Sequence, residues 1–334
     1  MIEINETVAR KLLTVVDAGL SHGMGDPTPG NMCIEAAVCY ALGMPHSDDP
    51  KCVARLRRSA LRRLKIRLND SAWSSKTARA KGMRRLALAQ LGSAGVLDEA
   101  EFVKRVVRLA IQVYVPLALR AAASMKGNKA HKDALESAAA ACEAEPTREH
   151  AVQARAAADA AADAAYAAAD DAAYAAAYAA YAAADAAADD AADAAAYAAD
   201  AAAYAAYAAA ADDAADADAA ADAAADADDA ARSKKRDEIL SDYAERVVQI
   251  LVDMKAPGCQ WLYLTESGAT DSKSASEAEL RLADQPAKSP GICTQLGCGR
   301  AGAVRFEKYG WLCQTHTYEG ALRATVPASE GAGK

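Results

Sequence analysis

The sequence predicts an all-α protein in three parts: an N-terminal helical domain over 1–145, a long Ala-rich helix or helical hairpin over 146–256, and a small C-terminal zinc-binding module over 292–319. A linker at 257–291 and a disordered tail at 320–334 complete the expected layout. Three observations predict this. Residues 151–232 hold 54 Ala, 17 Asp and 7 Tyr, with no Gly and no Pro. Ala is the strongest helix former, and Gly and Pro are the strongest breakers. Apolar residues in the first 145 positions recur at helical spacing, and no alternating strand pattern interrupts them. Near the C-terminus, three Cys and one His fall within a short Gly-containing stretch.

The N-terminal elements follow in order. Val8, Leu12, Val15 and Val16 mark a helix over about 5–19, ended by Gly19 and the loop HGMGDPTPGN. Asn31 is placed to cap a second helix over about 32–42. A third, over about 51–68, carries Arg55, Arg57, Arg58, Arg62, Arg63, Lys65 and Arg67. A fourth covers about 74–90. A fifth is opened by Asp98 and Glu99 and runs over about 98–125, with a kink expected at Pro116. A sixth covers about 130–144.

In the Ala-rich tract the interrupting residues are Asp159, Asp163, Tyr166, Asp170, Tyr174, Tyr178, Tyr181, Asp185, Asp189, Asp193, Tyr197, Asp200, Tyr204 and Tyr207. All steps are 3 or 4, so Asp and Tyr share one stripe and leave bare Ala faces to pack on other helices, in the same chain or another copy. No Gly or Pro lies between Thr147 and Ala256, and a single helix of that span would be roughly 160 Å long. The acidic stretch Asp212 to Asp229 is the expected place for a bend. Recurrent Asp excludes a membrane span in the tract. Thr is absent between Arg148 and Met254, so there is no Thr face of the kind that binds ice.

Charge is unevenly spread. Residues 1–150 hold 23 Lys and Arg against 16 Asp and Glu, whereas in residues 151–232 two Arg face 17 Asp, a charge of −15. That acidity argues against the tract itself binding nucleic acid. Its Asp row offers a different function, a phage-type DNA-mimic decoy. The N-terminus lacks a basic-then-apolar signal pattern, and eight Cys then read as reduced thiols or metal ligands in a cytoplasmic protein.

Two features of the N-terminal domain are able to carry chemistry. Cys33 is expected in the opening turn of its helix, where free N–H groups lower a thiol pKa, with His22, His46 and Asp48 as candidate partners. That arrangement gives a thiol-enzyme alternative. Cys33, Cys39, His46 and Cys52 are alternatively metal ligands, although their spacing departs from zinc patterns, or the three Cys are small buried hydrophobes. The basic helix places Arg58, Arg62 and Lys65 on one face with Arg55 beside them, a surface suited to phosphates or to the chain's own Asp stripe.

The segment MCIEAAVCYALGMPHSDDPKCV, then RLND and RRLALAQLGS, resembles an uncharacterised helical family of actinobacteria and their phages. The matching positions are Met32, Cys33, Glu35, Ala36, Gly43, Ser47, Asp48, Pro50, Cys52, Val53, Asn69 and Asp70. The family pattern often has a Trp before Ser-Asp and a His after it, where this chain has His46 and Asp49. The resemblance covers about residues 30–93 and implies fold and origin, not an activity.

At the C-terminus, Cys293, Cys298, Cys313 and His316 form C-x4-C-x14-C-x2-H. Two close pairs at this separation fit a structural zinc site of three thiolates and one imidazole. Val304 and Phe306 predict one short strand, Tyr309-Gly310 a turn, and Trp311-Leu312 a second strand. The module resembles small treble-clef or ribbon fingers. Taken together, the sequence points to a non-enzymatic helical adaptor with structural zinc and no membrane partner. It would contact protein, self-associate through Ala faces, or touch nucleic acid through Arg55, Arg58, Arg62, Lys65 or the zinc module.

Overall fold

The computed structural model describes residues 4–51, 59–125, 128–164, 168–186, 191–215 and 223–266, and two strands at 304–306 and 310–312. The chain divides into two units, Met1–Ala269 and Thr270–Lys334.

The described elements of the first unit are helices joined by turns and loops. Its N-terminal helices are α1 (Glu6–Asp17), α2 (Ile34–Ala41), α3 (Ala60–Asn69), α4 (Lys76–Ala89), α5 (Glu99–Leu109), α6 (Val115–Ser124) and α7 (Lys132–Ala144). Side-chain caps set several starts. Asn5 Oδ1 accepts from the Val8 N–H at 3.1 Å, Ser75 Oγ from Ala78 at 3.0 Å and Asp98 Oδ1 from Glu101 at 3.0 Å. The cap of α2 is Cys33, not the expected Asn31, whose side chain instead accepts from Lys76 Nζ at 2.5 Å.

The kink expected at Pro116 takes a specific form. Residues Ala110–Tyr114 make a π-helical turn between α5 and α6. Pro116 has no N–H to donate back into the helix, and the wider turn absorbs the missing bond. The turn presents Tyr114 inward. Its hydroxyl donates to Asp242 Oδ2 at 2.8 Å, and its ring meets Tyr243 edge-on at 5.2 Å.

Among the described residues the Ala-rich tract is four helices, α8 (Arg148–Ala164), α9 (Ala168–Ala186), α10 (Ala191–Ala215) and α11 (Ala223–Asp253). Of the long helix or helical hairpin that the sequence allows, the described helices have the side-by-side packing of the second. α9 packs on α8 and α10, while α10 lies on α3, α5 and α6, and α11 lies on α4 and α10. An isolated Ala helix buries almost nothing, whereas packed Ala faces bring whole backbones into contact. Ala176, Ala179, Ala180 and Ala183 of α9 are fully buried, as are Ala198, Ala201, Ala202, Ala205 and Ala208 of α10. These faces are consumed within the chain. The stripe residues Tyr174, Tyr178, Tyr181, Tyr204 and Tyr207 remain exposed.

The C-terminal half of α11 returns to ordinary core packing through Leu240, Tyr243, Val247, Val248 and Leu251. Gly82 on α4 permits this approach: a Cβ there would lie 2.4 Å from the Trp73 ring and 2.6 Å from Ser241 Oγ. A 3-10 segment, Pro257–Thr265, closes the unit against α4. Glu99–Ser124 is one stretch long and apolar enough to cross a membrane by length and composition. The fold buries 67% of its most apolar window, as a core helix requires.

In the second unit, β1 (Val304–Phe306) pairs antiparallel with β2 (Gly310–Leu312), with Val304 opposite Leu312 and Arg305 opposite Trp311. These are the two strands that the sequence predicts. Cys293, Cys298, Cys313 and His316 lie outside the described residues.

Candidate functional site

Two places in the helical unit gather chemistry. The first is the junction of α2 and α3. The loop before α2 folds back on itself, with Gly25 bridging Met32. Gly25 has φ +68°, and a Cβ there would meet Asn31 O at 1.7 Å. Asn69, at the end of α3, ties the loop to both helices. Its Oδ1 accepts from the Ile34 N–H at 3.3 Å, and its Nδ2 donates to Ser21 O and to Asp70 Oδ1, each at 2.9 Å. Cys33, Glu35, Asp48, Asn69 and Asp70 line a cavity of about 60 Å³.

Beneath it, Lys65 Nζ lies 2.6 Å from Glu35 Oε1, with both side chains at 0% exposure. Burial raises the Glu35 pKa, and the nearby Lys65 charge offsets only part of that. Arg62 lies alongside. Its guanidinium meets Asp48 Oδ2 at 2.9 Å, and its Nε donates to Asp48 O at 2.9 Å. Arg62 and Lys65 were expected on a phosphate-binding helix face. The fold instead buries both, in contact with Asp48 and Glu35. α3 begins only at Ala60 among the described residues, and Arg55 and Arg58 fall outside them.

The same geometry makes Cys33 a buried helix cap. Cys33 is 5% exposed, and its Sγ accepts from the Ala36 N–H at 3.4 Å. The helix start does favour a thiolate, but burial outweighs it and pushes the thiol up to about 11. His46 Nε2 sits 3.2 Å from Gly25 O, Asp48 is held by Arg62, and neither bonds Cys33. His22 is exposed at a different opening. Cys39 is buried, and Cys52 lies outside the described residues. Among the described residues no group of three or more His, Cys, Asp or Glu is placed to hold a metal ion.

The second place is a groove of about 890 Å³ between the end of α3, α4 and the tract helices α9, α10 and α11. Arg67, Arg79, Arg232 and Arg236 line it together with Tyr178, Tyr204 and Tyr207. Tyr178 and Tyr204 stack at 5.3 Å between centroids, and the Arg236 guanidinium lies 5.5 Å from the Tyr207 ring centre. Two carboxylates also line it. Asp200 faces Arg67 at 3.7 Å, and Asp70 accepts from the Gly23 N–H at 2.8 Å. Burial raises the Asp200 pKa, and Arg67 counters this only in part.

Arg79 forms the floor. It is 7% exposed, and it donates through Nε to Asn69 O at 2.7 Å and through Nη1 to Leu20 O at 2.9 Å. Both acceptors are neutral carbonyls, and Arg79 makes no ion pair among the described residues. Its pKa is lowered by burial, with Asp70 and Asp237 offsetting part of the cost. Helical spacing places the Tyr residues on one stripe, but nothing in the sequence says that α3 and α4 bring Arg67 and Arg79 to face them.

No family model matches the chain, and neither a curated protein nor a solved structure does.

Proposed function

We propose that the chain is a non-enzymatic helical adaptor, related to the actinobacterial and phage family that residues 30–93 resemble, with a structural zinc module at Cys293, Cys298, Cys313 and His316. One observation carries the non-enzymatic part. Cys33, the foremost nucleophile candidate, is buried as a helix cap with its thiol pushed up to about 11. A thiol enzyme needs the reverse, a lowered pKa and an adjacent base. The helical unit then serves as one contact body. The zinc module serves as a second, its four donors forming the closed shell of a structural metal with no open coordination position.

The Ala-rich tract supports this reading as scaffold rather than tether, because α10 lies on α3, α5 and α6. The test is zinc content by elemental analysis on the full chain purified without chelator, beside Cys298→Ser and Cys313→Ser variants. One zinc per chain, lost in both variants while helicity is kept, is the expected result. No zinc in the full chain, or zinc retained in both variants, removes the module from the account.

A further inference from the structure

We propose that the groove between α3, α4 and the tract binds a nucleoside phosphate, with Arg67 and Arg236 on the phosphate and Tyr178, Tyr204 and Tyr207 offering ring faces to the base. The inference rests on the reading of the chain as a binding protein and names the ligand class. Three independent observations carry it.

The first is the size and wall of the groove. Its volume of about 890 Å³ sits within the range of small-ligand sites, roughly 300–1,000 Å³. Four guanidinium groups face two carboxylates, so the lining is net positive inside a chain of net charge −8. A cationic pocket on an acidic protein is selective for a small anion that reaches it.

The second is Arg79. A buried guanidinium whose donors go to two carbonyls leaves its charge without a carboxylate in contact. An anion in the groove above it compensates that charge. The arginines nearer solvent have donors for a phosphate. Among the described residues Arg67, 57% exposed, meets Asp200 at 3.7 Å, and Arg236 donates to Ser233 Oγ at 3.0 Å.

The third is the aromatic wall. Tyr178, Tyr204 and Tyr207 line the groove at 53%, 37% and 43% exposure. An exposed ring face accepts a planar base. Guanidinium for phosphate and phenol face for base are the two halves of nucleotide recognition. A free nucleotide is favoured over a strand because two walls of the groove belong to the acidic tract, which repels a long polyanion.

The test is calorimetric titration of the full chain with each of the four ribonucleoside 5′-monophosphates, with the matching nucleosides, with inorganic phosphate and with a short oligothymidylate. At least one nucleotide should bind saturably, and its nucleoside and inorganic phosphate should each bind at least about tenfold more weakly. Arg67→Gln with Arg236→Gln should weaken the nucleotide at least about tenfold with helicity unchanged, and Arg10→Gln, remote from the groove, should leave it unaltered. Tyr207→Leu is the second variant, and it should reduce the advantage of nucleotide over phosphate. Absence of saturable nucleotide binding, equal affinity for phosphate alone, or tighter binding of the oligothymidylate overturns the proposal. So does affinity unmoved in both the Arg and the Tyr variants. Chromatography of the nucleotide after incubation separates the two readings: bound but degraded nucleotide removes the non-enzymatic reading and leaves the groove, and no binding does the opposite.

Discussion

Lys65 Nζ and Glu35 Oε1 meet at 2.6 Å with neither side chain exposed, and this pair joins α2 to α3 at the centre of the N-terminal helices. Removing one partner leaves the other buried without its counter-charge. At a pH above the raised Glu35 value, where both groups are charged, Lys65→Met and Glu35→Leu should each cost about 3–5 kcal/mol, measured by denaturant unfolding. The double variant should recover most of that loss, because two apolar side chains fill the space without a desolvation cost. Additive losses would mean that the two residues do not act as a pair.

Glu35 also sets a pH dependence. Its native pKa is raised by burial, so the folded state holds the proton more tightly than the unfolded state does. Its contribution is fully present below the unfolded carboxylate pKa and is lost as pH rises through the raised native value. A Glu35→Gln variant should flatten the stability profile across that window. An unchanged slope there would remove the assignment.

Cys33 should behave as a structural thiol. With its thiol pushed up to about 11, Cys33 should react with iodoacetamide far more slowly than a free thiol at neutral pH, and should gain reactivity only in alkali. The stability it confers is present below the ordinary thiol pKa and is lost as pH rises toward about 11. Fast labelling of Cys33 at neutral pH, identified by peptide mapping, would revive the thiol-enzyme alternative.

Gly82 should tolerate no side chain. A Cβ 2.4 Å from the Trp73 ring and 2.6 Å from Ser241 Oγ of α11 crowds both neighbours, and Gly82→Ala should cost about 1–3 kcal/mol despite the better helix propensity of Ala. Tyr114→Phe should cost about 1–2 kcal/mol through the lost hydroxyl bond to Asp242. Thermal unfolding of both variants checks these values, and a stabilised Gly82→Ala protein would contradict the packing described.

How much was legible in the sequence differs by element. The helix start at Asp98 follows from local capping and the break near Pro116 from its missing N–H, so short-range pattern was enough to place them, whereas the cap of α2 is Cys33 because Asn31 is drawn to Lys76. The fate of Lys65 was not legible. A basic residue on a basic helix reads as solvated, and only the tertiary approach of Glu35 from α2 turns it inward. The tract shows the same limit. Step spacing separates the Asp and Tyr stripe from the Ala faces, but an unbroken run of Ala carries no turn chemistry to say where the chain folds back. Nor does it say that α3 and α6 lie beneath α10. The groove was invisible for that reason: its Tyr wall comes from the tract and its Arg floor from α4, and neither half implies the other.

The groove depends on the docking of the tract, because without α10 against α3 and α6 it has no second wall. Amide hydrogen exchange of the full chain, read over Ala198–Ala210, measures this directly. The buried Ala faces predict protection comparable to that of α4, well beyond what an isolated Ala-rich helix sustains. Exchange over Ala198–Ala210 at the rate of an isolated helix, with α4 still protected, would contradict the account and restore the free rod.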